Sequence, residues 1–160
     1  MPDITVIAVG SLQQKHYRDA ADEYIKRLGA HYRVFEIEIK EERLPASPTE
    51  ADIAKGLEKE AERISAAIPK RAFVTALCIE GKTPDSAEFS NIIEQAAVRG
   101  YSSFAFIVGS SHGLSEKIKK TADLRLSMSR MTFPHQLARV MLYEALYRAD
   151  EIRCGTRYHK

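Results

Sequence analysis

Short apolar runs, rich in β-branched and aromatic residues, alternate with segments of helical periodicity along the whole chain, and this alternation constrains the fold most. Ile4–Val9 reads as a strand and Tyr17–Leu28 as an amphipathic helix stopped at Gly29. Val34–Ile39 alternates as a strand whose outward face carries Glu36 and Glu38. After a loop punctuated by Pro45 and Pro48, Ser47-Pro48-Thr49-Glu50 predicts a capping box with proline at the first helical position. It opens a charged helix to about Ile68. Phe73–Ile79 is a more continuous apolar run, as in a strand buried on both faces. Glu80-Gly81-Lys82-Thr83-Pro84 then turns the chain into a helix from about Ser86 to Gly100. Phe104–Val108 is a further buried strand, followed by the loop Gly109-Ser110-Ser111-His112-Gly113 and a short helix. Leu124–Met128 is the last strand and Pro134–Ala149 the last helix.

Such alternation predicts parallel β–α units, hence an α/β layered sheet with helices on both faces, in one domain over residues 1–160. The apolar runs are too short to span a bilayer, and the start of the chain lacks a basic leader, so a cytoplasmic protein without membrane association is expected. Cys78 and Cys154 form neither a disulfide framework nor a metal motif, and His16, His31 and His112 show no ligand spacing, so no metal is expected.

In open α/β sheets ligands gather beyond the carboxyl ends of the strands. Three such ends carry chemistry: Leu77–Gly81, Val108–Gly113 and Met128–Phe133. Glycine at 109 lets backbone approach a ligand, or simply makes a turn; the loop is neither a dinucleotide fingerprint nor a Walker loop. The stretch SMSRMTFPHQ mixes methionines, a phenylalanine and hydroxyls. With Pro134 first in the helix, Phe133 falls at the N-cap and offers the orphan N–H groups no acceptor. A purine or nucleoside-like ligand suits Met128, Met131 and Phe133; core filling suits the methionines as well.

Charge is uneven. From Arg130 to Lys160 six Lys/Arg face three Asp/Glu, whereas the preceding residues carry 18 against 19. A basic C-terminal end hints at a phosphate-rich partner, although surface arginines are commonly only solvated. The last helix is apolar around much of its girth (Leu137, Val140, Met141, Leu142, Tyr143, Leu146, Tyr147), which predicts burial on two sides, one of them a two-fold dimer interface.

AVGSL near the start, EYIKRLG, the strand end at Gly81-Lys82, FIVGSSHGLS, LSMSRMTFPHQLARVMLYEALYRA and the terminal Tyr158-His159-Lys160 together carry a resemblance. The chain is similar, essentially end to end, to SPOUT-class methyltransferases of the ribosomal RNA large-subunit methyltransferase H family. The resemblance implies a SPOUT-type α/β knot, with a C-terminal trefoil knot and cofactor site in roughly residues 73–160. It implies transfer of a methyl group from S-adenosylmethionine to N3 of a pseudouridine, position 1915, in helix 69 of 23S rRNA, as free rRNA or within the ribosome. The modest charge excess predicts a homodimer whose two subunits share the RNA contacts. Leu77, Gly109, Met128, Ser129, Arg130, Met131, Thr132 and Phe133 would contact the cofactor. Ser110 departs from the family, which usually has a second glycine there.

Methyl transfer from a sulfonium needs no metal; it needs alignment and loss of the imide proton. A terminal histidine is by itself most simply a solvated end. Given the resemblance, His159 is the leading candidate base, because imidazole is available in its neutral form near neutrality. Tyr158 belongs to the same tail, and Arg148 would orient the base or bind phosphate. Arg130, Arg139, Arg153, Arg157 and Lys160 are candidate RNA contacts, and His135 reads as a helix-start residue. The competing readings are a non-catalytic nucleoside-binding module and a ribosome-associated RNA-binding protein.

Overall fold

The computed structural model describes residues 1–160. Five strands, β1 (Asp3–Val9), β2 (Arg33–Ile39), β3 (Phe73–Lys82), β4 (Ser103–Val108) and β5 (Leu124–Leu126), alternate with five helices. These are α1 (Lys15–Leu28), α2 (Glu50–Ala67), α3 (Ser86–Val98), α4 (Glu116–Thr121) and α5 (His135–Arg153). The strands form one parallel sheet in the order β2-β1-β4-β3-β5, as expected for β–α units.

Side chains alternate across the sheet and so divide the core in two. Ile4, Val6 and Ala8 of β1 and Phe104, Phe106 and Val108 of β4 pack with α1, α3 and α5. Ile7, Val9, Ala105 and Ile107 face α2 and α4 through Ala61, Ile64 and Ile118. The helix α5 lies between α1 and α3, and from His135 to Ile152 every residue is buried or half-buried. No helix is long and apolar enough to cross a membrane.

Four sequence expectations are corrected. The N-cap of α2 is Thr49, not Ser47: Thr49 Oγ1 accepts from Asp52 N at 3.1 Å while Asp52 Oδ2 accepts from Thr49 N at 3.0 Å. Aspartate closes the box here in place of glutamate, two residues downstream of the expected position. Glu80–Lys82 does not turn the chain. It continues β3, and after a register shift Lys82 pairs with Leu126 while its carbonyl accepts from Ser127 N at 2.7 Å. Gly81 makes this crossing feasible, since a Cβ there would lie 2.7 Å from the Arg125 carbonyl carbon. β5 ends at Leu126, which frees Met128 for the loop; α5 starts one residue later than expected, with Pro134 as a cap that has no side-chain acceptor, and runs on to Arg153.

The fourth correction concerns Glu36. Alternation in β2 put Glu36 and Glu38 on an outward face; Glu38 is exposed, but Glu36 is half-buried beneath side chains of α1 and α5. Glu36 accepts from Arg18 Nη2 at 2.7 Å, Tyr143 Oη at 2.8 Å and Arg139 Nη2 at 2.5 Å. Burial opposes ionisation, yet these three donors hold the Glu36 carboxyl below its ordinary range. Arg139, only 2% exposed, is therefore a buried strut between α5 and β2 and is withdrawn as an RNA contact.

Candidate active site

The carboxyl ends of β3, β4 and β5 surround a cavity of about 300 Å³. Each wall has a local cause. β3 contributes Leu77, Cys78, Ile79 and Glu80. The loop after β4 contributes Gly109 to Leu114 and folds on itself: Gly113, at φ +81°, bridges back to Ser110, whose Oγ accepts from His112 N at 3.4 Å. The serine that departs from the family is thus buried and bonded within the loop. The segment after β5 is held by two hydroxyls, Ser127 donating to Ser129 O at 2.9 Å and Ser129 Oγ accepting from Met131 N at 3.0 Å. That folds Met128, Ser129, Met131, Thr132 and Phe133 into the wall, with His135 and Ala138 of α5 beside them.

Leu77, Gly109, Met128, Ser129, Met131, Thr132 and Phe133, all expected at a cofactor site, thus meet around one space. Arg130 points elsewhere: it is exposed and absent from the lining, because the hydroxyl-bonded turn sends it outward. The sequence did not single out Glu80, Lys119, His112 and His135, which also line the cavity. Lys119 lies 2.5 Å from Glu80, with only 15% of its side chain exposed. The Lys119 ammonium holds the Glu80 carboxyl below the usual range, so the wall carries a fixed ion pair. Burial, with Glu80 nearby, raises the Cys78 thiol, so it stays protonated and apolar at neutral pH.

The tail forms a second cluster. Arg148 donates to Glu144 through Nε (2.9 Å) and Nη2 (2.5 Å), and its Nη1 lies 3.3 Å from His159 Nδ1. Its guanidinium carbon sits 4.8 Å from the ring centroid of Tyr158, which also meets Tyr147 edge-on. Tyr158 Oη donates to Glu144 at 3.2 Å. Partial burial and the Glu144 carboxylate push the Tyr158 phenol up to about 12, so it remains protonated. None of Arg148, Tyr158 and His159 lines the cavity of its own chain. Arg148 lies ten residues along α5 from Ala138, the nearest residue of that helix in the cavity wall, about 15 Å at 1.5 Å per residue. Of the other basic candidates, Arg157 and Lys160 are exposed, whereas Arg153 is tied to the buried Asp150 at 2.6 Å.

A parallel α/β sheet with a half-apolar cavity between the β4 loop and the segment after β5 is the arrangement of a SPOUT methyltransferase, and the family model described as Predicted SPOUT methyltransferase matches residues 3–159. In fold the chain resembles a probable methyltransferase from Bordetella pertussis Tohama I (TM-score 0.56, 17% identity, 91% of this chain and 95% of that one). It likewise resembles the tRNA (m1G37) methyltransferase from Aquifex aeolicus (TM-score 0.56, 14% identity, 91% and 69%). Sequence likeness is much closer to the ribosomal RNA large subunit methyltransferase H of Streptococcus thermophilus (strain CNRZ 1066), 45% identical over 98% of this chain and 99% of the relative. That of Clostridium botulinum (strain Kyoto / Type A2) is 46% identical over 99% of both. The chain belongs to the ribosomal RNA large subunit methyltransferase H family.

Proposed function

We propose that the chain is a cytoplasmic, S-adenosylmethionine-dependent methyltransferase that acts on N3 of pseudouridine 1915 in helix 69 of 23S rRNA, within the ribosome and as a homodimer. The observation that carries this reading is the convergence of Leu77, Gly109, Met128, Ser129, Met131, Thr132 and Phe133 on one cavity. The names of the relatives support an rRNA substrate.

The cavity suits the cofactor. Leu77, Met128, Met131 and Phe133 offer apolar walls to a purine. Ser129, Thr132 and the uncapped first turn of α5 offer polar groups to its edges and to the ribose. The Glu80 carboxylate lies on the wall for a cationic part of the ligand. Bound there, the cofactor supplies a sulfonium methyl group, which N3 takes as the carbon–sulfur bond breaks and the N3 proton leaves. The tight crossing of Leu124–Ser127 against Gly81 and Lys82 supports a trefoil knot in roughly 73–160, with the cavity at its rim.

Alignment is the main task of the protein. Arg148 fixes His159, and Tyr158 anchors the tail on α5 through Glu144 and Tyr147. Because the tail lies away from its own cavity, the dimer brings the tail of one protomer to the cavity of its partner. Half-buried Leu137, Val140, Met141 and Tyr147 on α5 support that association. Arg130, Arg157 and Lys160 remain as RNA contacts. Transfer of a radiolabelled methyl group to ribosomes lacking this modification tests the reading. Labelled 23S rRNA is expected, and cofactor binding without transfer would leave a nucleoside-binding module instead.

A further inference from the structure

Outside the cofactor cavity, one group of side chains combines three ligand types. His31 lies in the turn between α1 and β2, and Cys154 is the C-cap of α5. Asp150 lies one turn before Cys154. His31 Nδ1 is 2.6 Å from Asp150 Oδ2 and 3.9 Å from Cys154 Sγ, and the three donor atoms lie within 4.8 Å of one another. Asp150 is 3% exposed, while His31 and Cys154 are open to solvent.

We propose that His31, Asp150 and Cys154 form a binding site for a borderline divalent transition ion of the zinc class, clasping the α1–β2 turn to the end of α5. Imidazole, carboxylate and thiolate are the zinc ligand types, and a sulfur donor disfavours Mg²⁺ and Ca²⁺. Bonds of about 2.0–2.3 Å in a tetrahedron place neighbouring ligand atoms about 3.3–3.6 Å apart. His31 and Asp150 must therefore separate by about 0.7 Å, and His31 and Cys154 approach by a few tenths. Exposure leaves His31 and Cys154 free to make these movements. Asp150 is the fixed member. Its Oδ1 accepts from Arg153 Nη2 at 2.6 Å and from Nε at 3.2 Å, which leaves Oδ2 for the ion. Arg153 then acts as the outer partner that orients a ligating carboxylate, and its charge offsets part of that of two anionic ligands.

The proton balance is simple. Cys154 releases its thiol proton to solvent on binding, and the His31 ring coordinates through Nδ1 with its proton on Nε2. Three protein ligands leave the fourth position to water. An ion there fixes the point from which Gly155–Lys160, with Tyr158 and His159, departs. The proposal does not depend on the methyltransferase reading, because none of its residues lines the cavity.

The test uses untagged, reduced, metal-stripped full-length protein titrated with Zn²⁺ by calorimetry and with Co²⁺ by absorption spectroscopy. One Zn²⁺ per chain is expected, with micromolar or tighter affinity, together with a thiolate-to-Co²⁺ charge-transfer band in the near ultraviolet. Cys154→Ser should abolish the band, and both Cys154→Ser and His31→Gln should weaken Zn²⁺ binding at least about tenfold. Both positions are exposed, so circular dichroism should show the fold unchanged. Absence of stoichiometric binding by the unmodified chain, or affinity unchanged in either variant, overturns the proposal.

Discussion

Arg148 sets the state of His159. The two side chains meet at 3.3 Å, Nη1 to Nδ1, and a guanidinium can only donate, so Nδ1 is the acceptor and a neutral ring carries its proton on Nε2. Glu144 holds the other edge of Arg148, which makes Glu144, Arg148 and His159 one ordered chain. If His159 is the base of the proposed transfer, taking a proton at Nδ1 requires Arg148 to release it, and the tail as folded would be a resting arrangement that target binding alters.

Arg148→Ala is therefore expected to do two things at once. It frees Nδ1, which favours proton uptake, but removes the anchor under the tail; the loss of alignment outweighs that gain, so single-turnover methylation should fall by about tenfold or more while cofactor affinity changes less than about twofold. Calorimetry with S-adenosylhomocysteine and rapid-quench methylation separate the two quantities. A parallel loss of affinity would show that Arg148 belongs to the cofactor site instead.

Gly109→Val acts on the loop itself. A Cβ at 109 meets the Gly113 carbonyl far inside van der Waals contact, and Leu114 at 3.0 Å. Since the obstacle is backbone, the loop itself must move. Cofactor affinity should fall at least about tenfold, with a loss of about 1–3 kcal/mol in urea unfolding. Affinity retained alongside normal stability would show that the loop can reopen without consequence.

The strand–helix order was legible because period-2 and period-3.6 patterns change cleanly at each boundary, and the cavity because three strand ends carry unusual composition. Glu36 was misread because alternation reports which residues share a face but not what covers that face; α5, about a hundred residues later, supplies Arg139 and Tyr143. Lys82 was misread because Gly81-Lys82-Thr83-Pro84 has turn chemistry, and only the crossing of Leu126 draws it into the sheet. His31, Asp150 and Cys154 left no local signal, since at least 119 residues separate the histidine from its partners.

Arg139→Met should report stability rather than RNA binding. Removing one member of a buried ion pair leaves its partner poorly compensated and costs about 3 kcal/mol. Arg18 still reaches Glu36, so the fold should persist. Urea midpoints should drop, whereas the salt dependence of ribosome binding should keep its slope. A changed slope at unchanged stability would restore Arg139 as a phosphate contact.

Glu60 gives a pH dependence of defined sign. It is 4% exposed, accepts from Glu42 N at 2.8 Å, and burial raises its carboxyl above the ordinary range. The folded state therefore binds the proton more tightly than the unfolded chain. Ionised Glu60 costs stability at neutral pH, and that cost is relieved as pH falls through the raised folded value towards the unfolded value near about 4.3. Glu60→Gln keeps an acceptor for Glu42 N without the charge. Its melting temperature at pH 7 should exceed that of the parent by about 2–4 °C, the equivalent of about 1 kcal/mol, and the difference should close as pH falls. A lower melting temperature at pH 7 would mean that the carboxylate is net stabilising.

In the proposed homodimer, the tail decides whether the site is shared between protomers. Deleting Tyr158-His159-Lys160 removes two exposed residues and the half-buried Tyr158, none of them part of the core, so the fold should persist, and because none of the three lines the cavity, cofactor affinity should change by less than about twofold. Methylation should nevertheless fall by at least about a hundredfold if this tail closes the site over the target and His159 handles its proton. The geometry adds a sharper test, since Arg148 stands about 15 Å along α5 from the cavity edge at Ala138. A chain with the tail deleted keeps a sound cavity, and a chain carrying Gly109→Val keeps a sound tail; neither methylates well alone. Mixed under conditions that allow subunits to exchange, the two should recover up to about a quarter of the parental rate, because half of the dimers are then mixed and each holds one intact site. Single-turnover methylation of modification-deficient ribosomes by the exchanged mixture measures this recovery. No recovery, with exchange verified by native mass spectrometry, would mean that each tail serves the cavity of its own chain.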